Sequence, residues 1–301
     1  MIRVGLVDFD TSHVVAFTQR LNHLGIDPSD WVEGAKVVAG WPGDSAIMPE
    51  RIKGYAEQLS SCGIELVSRP EELYGKIDAV MIESQQGSRH LERARPFLER
   101  GMPTFVDKPF ANSLRDADEM IALARRHRAP LMTASALRYD PRVQEALAKR
   151  AQLGRILSAD VWTSAALHPG NPGLLHYGIH GVEMLYTLLG AGCRRVQNSF
   201  TEQGEVVSGL WAGGHTGTVR GLREGAGGFG MAVHYEKGHF TAQVEGAAFY
   251  RELLKAVVAM FQTGRPPIDL DESREVIAFI LAAKSSADRR GAGIDVPRPR
   301  S

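Results

Sequence analysis

Hydrophobic residues in the first third of the chain come in short runs separated by helical stretches. A strand lies within Arg3-Val4-Gly5-Leu6-Val7, and the amphipathic segment after it places Val14, Val15, Phe17 and Leu21 on one side. Further strands are predicted at Ala35 to Gly40, Ile77 to Ile82, Thr104 to Val106 and Leu131 to Ala134, with a helix from Leu114 to Arg126 before the last of these. Strands that alternate with helices specify a doubly wound, Rossmann-type parallel sheet, whose ligands bind at the carboxyl ends of the strands. That domain is expected to occupy residues 1–135.

The pattern changes near Arg138-Tyr139-Asp140-Pro141. A helix from about Arg142 to Gln152 leads into strand-like runs at Ile156 to Ser164, Gly217 to Arg223, Phe229 to Tyr235 and His239 to Val244, joined by Gly-rich turns. Helices are expected at Gly181 to Leu189, Tyr250 to Thr263 and Leu270 to Arg289. Residues 136–301 therefore read as an α+β domain with a mostly antiparallel open sheet, one face covered by helices and the other available to a partner. The closing helix, about 270–289, is a candidate to pack back on the first domain.

Composition narrows the function classes. The chain has 301 residues, and its 35 Lys and Arg balance its 35 Asp and Glu, which gives no support for a nucleic-acid or anionic-membrane surface. No apolar stretch approaches the ~18 residues of a membrane span, and the first residues form no basic-then-apolar leader. Cys62 and Cys193 lack metal-type spacing and read as buried bystander thiols, so a cytoplasmic location is expected.

The first turn carries the candidate chemistry. A dinucleotide-binding turn normally reads Gly-x-Gly-x-x-Gly, because glycines let the backbone approach a pyrophosphate held at the helix N-terminus. Here those positions are Asp8, Asp10 and His13. Each carboxylate a few ångströms from a diphosphate would repel it by about 1 kcal/mol in water. After the second strand, Trp41 or Pro42 takes the place of the acid that usually holds the adenosine ribose, with Asp44 close behind. The next strand ends run into Glu83-Ser84-Gln85-Gln86 and Asp107-Lys108-Pro109. Asp8, Asp10, Glu83 and Asp107 thus predict an acidic mouth, with three readings. It could bind the hydroxyls of a polyol, or it could hold a divalent cation on Asp8, Asp10, His13 and Glu83. Alternatively, Asp10, Thr11 or Ser12 simply caps the first helix. The metal reading is the least specific of these, because the spacing matches no established motif.

Two landmarks resemble the Gfo/Idh/MocA oxidoreductase family. Asp107-Lys108-Pro109 resembles its Glu-Lys-Pro, and His176-x-Gly178-x-His180-x-x-Glu183 resembles its Asp-x-Gly-x-His-x-x-Asp. Order and spacing agree from about residue 2 to 296. The resemblance implies that Lys108 orients a substrate hydroxyl and that His180 is its general acid/base, with His176 at the position of the assisting acid. It implies NAD or NADP as cofactor, for which the candidate contacts are Asp8, Phe9, Asp10, Thr11, Ser12, His13, Asp44, Glu83 and Ser84; candidate substrate contacts are Asp107, Glu183, Arg138 and His168, the last a lower-weight histidine in a loop that could close over the site. A homodimer or homotetramer through the second sheet is also implied.

Lys108 and His180 make sense independently of the family. Hydride removal from a secondary alcohol needs a base for the hydroxyl proton, which histidine supplies near neutrality, while a lysine favours the developing alkoxide. His90 at a helix start and His215 in a turn carry less weight, and Arg125-Arg126-His127-Arg128 reads as a solvated helix end. The expectation is an oxidoreductase moving a hydride between NAD(P) and a carbohydrate-like alcohol. The alternatives are a lyase, hydratase or epimerase on a sugar derivative, and a non-catalytic sugar-binding protein.

Overall fold

The computed structural model of the chain describes residues 1–246 and 249–299. It divides into two compact units, one of residues 1–134 and 250–270, the other of residues 135–249 and 271–301.

In the first unit, strands β1 (Ile2–Val7), β2 (Ala35–Trp41), β3 (Glu65–Leu66), β4 (Ala79–Ile82), β5 (Thr104–Val106) and β6 (Leu131–Thr133) form one sheet in the order β3-β2-β1-β4-β5-β6. Every neighbouring pair is parallel. This is the doubly wound order, which reverses beside β1 and leaves a ligand crevice at the carboxyl ends of β1 and β4. The sheet forms because β4, β5, β6 and the last four residues of β1 are mainly apolar and fully buried, as crossover helices on both faces require. The crossover helices are α1 (His13–Asn22), α2 (Pro49–Ser61), α3 (His90–Leu98) and α4 (Leu114–His127). Helix α1 buries His13, Val14, Phe17, Thr18 and Leu21, while Val15 is half-buried.

The second unit begins with α5 (Pro141–Ala148) and α6 (Arg150–Leu153), where the sequence suggests one continuous helix. Strands β7 (Ile156–Ser164), β8 (Cys193–Phe200), β9 (Gly204–Trp211), β10 (Thr216–Leu222), β11 (Phe229–Tyr235), β12 (Gly238–Val244) and β13 (Ile294–Asp295) form the second sheet, in the order β12-β11-β7-β10-β9-β8-β13. Only the β7–β10 pair is parallel, so the sheet is mostly antiparallel as expected. Helix α7 (Ile179–Leu189) packs on β7 and β10. Gly181 permits this close approach: a Cβ there would lie 2.6 Å from Thr163 Cγ2.

Helices α8 (Phe249–Thr263) and α9 (Leu270–Asp288) part company. The domain boundary differs from the expected one, since α8, from Tyr250 onward, groups with the first unit and nearly all of α9 with the second. The reason is visible in the side chains. Tyr250 sets its ring edge-on against His13 and Phe17, at 5.1 and 5.5 Å between centroids, whereas Phe279 of α9 joins Tyr186 and Trp211 in an aromatic cluster. Of the two thiols, Cys193 is buried as expected, but Cys62 is exposed. Among the described residues no helix is long and apolar enough to cross a membrane.

Phe17 is fully buried between the sheet and α8, so Phe17→Ala should lower unfolding stability by about 3–5 kcal/mol. Urea denaturation would measure this, and a loss under about 1 kcal/mol would mean that α8 does not close this core.

Candidate active site

At the carboxyl ends of the first sheet, Asp8, Asp10, Glu83 and Asp107 are all 0–1 % exposed. The acidic mouth expected from the sequence is therefore a buried carboxylate cluster, and each member is handled differently.

Asp8 follows β1 with φ of 64°, so the turn keeps the left-handed backbone that its glycine position requires, and aspartate is one of the few residues to tolerate it. Its Oδ2 accepts Arg93 Nε at 3.0 Å and the Ser84 hydroxyl. Burial pushes the Asp8 carboxyl up, opposed by Arg93 and Ser84. The Arg93 guanidinium also reaches Asp44 at 3.1 Å and lies 4.6 Å from the Trp41 ring centroid. Asp10 accepts Ser45 Oγ at 2.6 Å and the Gln85 backbone N–H at 3.0 Å, and its carbonyl accepts the Gln85 side chain. Neither carboxylate caps α1. The Ser12 side chain makes no cap bond, and Thr11 Oγ1 accepts the His13 N–H at 3.3 Å.

These contacts close the turn on itself. Asp8 N–H and Phe9 N–H donate to the carbonyls of Trp41 and Pro42, and Gly43, at φ of 65°, runs so close that a Cβ would collide with the Asp8 carboxylate. Asp44, the candidate ribose ligand, is bound by Arg89 as well as Arg93. The turn that would seat a diphosphate is filled by the chain's own residues 41–45 and Arg93, and does not fit that group in the usual pose. The expected repulsion by Asp8 is corrected as well, because Arg93 neutralises it.

The other half of the cluster lies at β4 and β5. His13 Nδ1 is 2.8 Å from Asp107 Oδ2 and 3.9 Å from Glu83 Oε2, and its Nε2 is 3.1 Å from the Tyr250 hydroxyl. Lys108 Nζ is 3.6 Å from the same Asp107 oxygen. Despite full burial, His13 and Lys108 hold Asp107 well below the carboxylate range, whereas burial and the Asp107 charge push Glu83 well above it. Neither Glu83 oxygen has a hydrogen-bond partner. The Lys108–Pro109 peptide is cis. His90, given little weight from sequence, is fully buried with its ring nitrogens 2.7 Å from the Ser84 carbonyl and 3.2 Å from that of Phe110, tying the ends of both loops together.

In the second unit, His180 stands in the first turn of α7 with Nδ1 2.7 Å from Ser135 Oγ, which also accepts the Leu137 N–H. Tyr177 and Phe229 set their rings against it at 5.1 and 5.7 Å, fixing the imidazole plane. His176 and His168 lie together, with ring centroids 5.2 Å apart, and His168 Nδ1 accepts the Gly170 N–H. Glu183 and Arg138 are 4 and 6 % exposed and bond each other, with Arg138 also reaching Glu272 at 2.7 Å. Burial raises the Glu183 carboxyl against the pull of Arg138.

Comparison with known proteins agrees with this architecture. Residues 45–135 match the family described as oxidoreductase family, NAD-binding Rossmann fold (GFO_IDH_MocA). The expected Gfo/Idh/MocA resemblance is borne out. YceM of Salmonella typhimurium, named as a candidate oxidoreductase, is 32% identical over 121 residues, a match covering 40% of this chain and 39% of that protein, well under two thirds of its length. A candidate dehydrogenase of Thermotoga maritima superposes with a TM-score of 0.81 at 17% identity, covering 98% of this chain and 99% of the other. Myo-inositol dehydrogenase of Lactobacillus casei, solved with NAD(H) and myo-inositol, gives 0.79 at 15% identity, covering 100% and 98%. At such identities the likeness establishes the fold alone, and the family match begins at residue 45, after the first turn.

Arg93, Ser45, Gln85, Tyr250 and Ser135 were not singled out by sequence reasoning. A lone arginine inside a helix offers no signal until Asp8 is known to need a counter-charge. Arg93→Met would leave a buried carboxylate unpaired and should cost about 3–5 kcal/mol, with Asp8→Asn added to it recovering part of the loss. Chemical denaturation would read both, and a cost below about 1 kcal/mol would show that the pair does not hold the turn.

Proposed function

We propose that the chain is an oxidoreductase of the Gfo/Idh/MocA type acting at a secondary alcohol of a polyhydroxylated compound. The observation that carries this reading is the Asp107-Lys108 strand end, where a buried carboxylate lies 3.6 Å from a lysine ammonium at the carboxyl end of β5, a strand of the doubly wound sheet next to the switch point. In this reading Lys108 hydrogen-bonds the substrate hydroxyl and stabilises the alkoxide as it forms. His180 takes the hydroxyl proton, its ring held by Ser135. His176 and His168, whose rings lie together, bind substrate hydroxyls in this reading. Asp107 keeps Lys108 in place, and the Arg138–Glu183–Glu272 network holds α7 rather than touching substrate. NAD(H), which the family's fold binds and which accompanies inositol in the Lactobacillus casei enzyme, is the hydride carrier the reading calls for. Assembly as a homodimer or homotetramer belongs to the same proposal, supported by exposed Leu157, Phe200 and Leu210 on the second sheet.

A second reading is favoured by one observation, the filled first turn: non-redox chemistry, such as elimination or epimerisation beside a carbonyl, uses the same lysine and histidine without a diphosphate seat. Incubating the purified protein with a panel of inositols and sugar acids, with and without NAD+, separates the two. Nicotinamide reduction that depends on the polyol supports the first, and product formation in the absence of nicotinamide supports the second.

Under either reading, Lys108→Ala and His180→Ala should each reduce turnover by about 10²–10⁴-fold, with the thermal midpoint nearly unchanged in His180→Ala and lowered in Lys108→Ala, which takes one of two partners from the buried Asp107. Steady-state rates with matched melting curves test this. Full activity in either variant would remove that residue from the mechanism.

A further inference from the structure

We propose that His13, Glu83 and Asp107 form a binding site for one divalent transition cation of the zinc or manganese kind. One ligand atom from each lies within 4.8 Å of the others, and all three residues are buried. The closest pairs are His13 Nδ1 to Asp107 Oδ2 at 2.8 Å and to Glu83 Oε2 at 3.9 Å. Metal–ligand bonds of about 2.0–2.2 Å to a common centre need only a small rotation of these side chains.

Proximity alone would not distinguish a metal site from a buried acid pair. Glu83 does. It is fully buried, neither oxygen has a hydrogen-bond partner, and one of them faces the His13 nitrogen. An unsatisfied buried polar group costs about 1–3 kcal/mol, more if charged, and no hydrogen bond in the cluster offsets it. A divalent cation would satisfy Glu83, balance two carboxylates with a neutral imidazole, and leave coordination positions open for water or a substrate hydroxyl. The outer shell is also of the right kind. With Nδ1 on the metal, His13 Nε2–H would donate to the Tyr250 hydroxyl 3.1 Å away, the sort of partner that fixes the tautomer of a ligating histidine. One imidazole and two carboxylates suit zinc or manganese better than the all-oxygen cages of calcium or magnesium.

The occupant in competition is the Lys108 ammonium, 3.6 Å from the shared Asp107 oxygen. Replacing it with an uncharged chain should strengthen cation binding. The inference shares Asp107 with the redox reading but is tested apart from it, because metal retention is read without turnover and Glu83 takes no part in the hydride step.

The full chain, stripped with chelator and dialysed against Zn2+ or Mn2+, should retain one equivalent of metal per chain by elemental analysis. Competition with a chromogenic chelator should show no specific uptake in His13→Ala or Glu83→Gln, about tenfold or more weaker uptake in Tyr250→Phe, and tighter uptake in Lys108→Met. Glu83→Gln has the same shape and removes an unpartnered carboxylate, so its melting temperature without metal should match or exceed wild type, which separates lost ligation from lost folding. No retained metal in the wild type, or uptake unchanged in a folded Glu83→Gln, would overturn the proposal.

Discussion

The first unit is organised around a constraint its fold does not normally meet: four carboxylates buried at the carboxyl ends of its parallel strands. Placing even one such charge in an interior of low polarity costs several kcal/mol unless a partner sits beside it. Asp8 is answered by Arg93, Asp10 by Ser45 and the Gln85 N–H, and Asp107 by His13 and Lys108. Those partners come from α1, from the loop after β2, from α3 and from the ends of β4 and β5, so satisfying the acids also fastens the loops that would otherwise border an open crevice. Glu83 alone is left without a hydrogen-bonding partner, which is why the candidate metal position falls there.

The same constraint separates what this chain shares with its relatives from what it does not. Asp8 still adopts a glycine-like φ, so the backbone path of the first turn is kept while its surface is changed. The lysine strand end and the histidine of α7 keep side chains suited to proton handling. Backbone path and side-chain surface are thus separable here, as expected when function resides in local sites rather than in the fold.

Most of the architecture was legible in the sequence because apolar periodicity encodes it directly. Thr104–Val106, Ile156–Ser164 and Phe229–Tyr235 fall where the pattern places them. Strands β8 and β9 escaped notice because Cys193-Arg-Arg-Val-Gln-Asn and Gly204-Glu-Val-Val-Ser-Gly are polar at alternate positions and contain residues of weak strand propensity. The grouping of α8 with the first unit was not legible because both last helices are amphipathic, and only tertiary contacts decide which core receives which. At the site, the acids and both histidines could be listed from sequence, but their electrostatic sign could not. Arg93 is separated from Asp8 by 85 positions, and Tyr250 from His13 by 237. Linear spacing carries no trace of such pairings, so a compensated cluster looked like an open acidic mouth.

The central claim is that the first turn is closed by the chain's own side chains. Calorimetric titration of NADH into the wild type and into an Asp8→Gly, Asp10→Gly variant tests it most directly. The account predicts weak binding to the wild type and tighter binding to the variant, in which Arg93 is released toward the diphosphate, with the gain shrinking as salt screens that attraction. Tight wild-type binding, unchanged in the variant and with the diphosphate seated on residues 9–13, would contradict it.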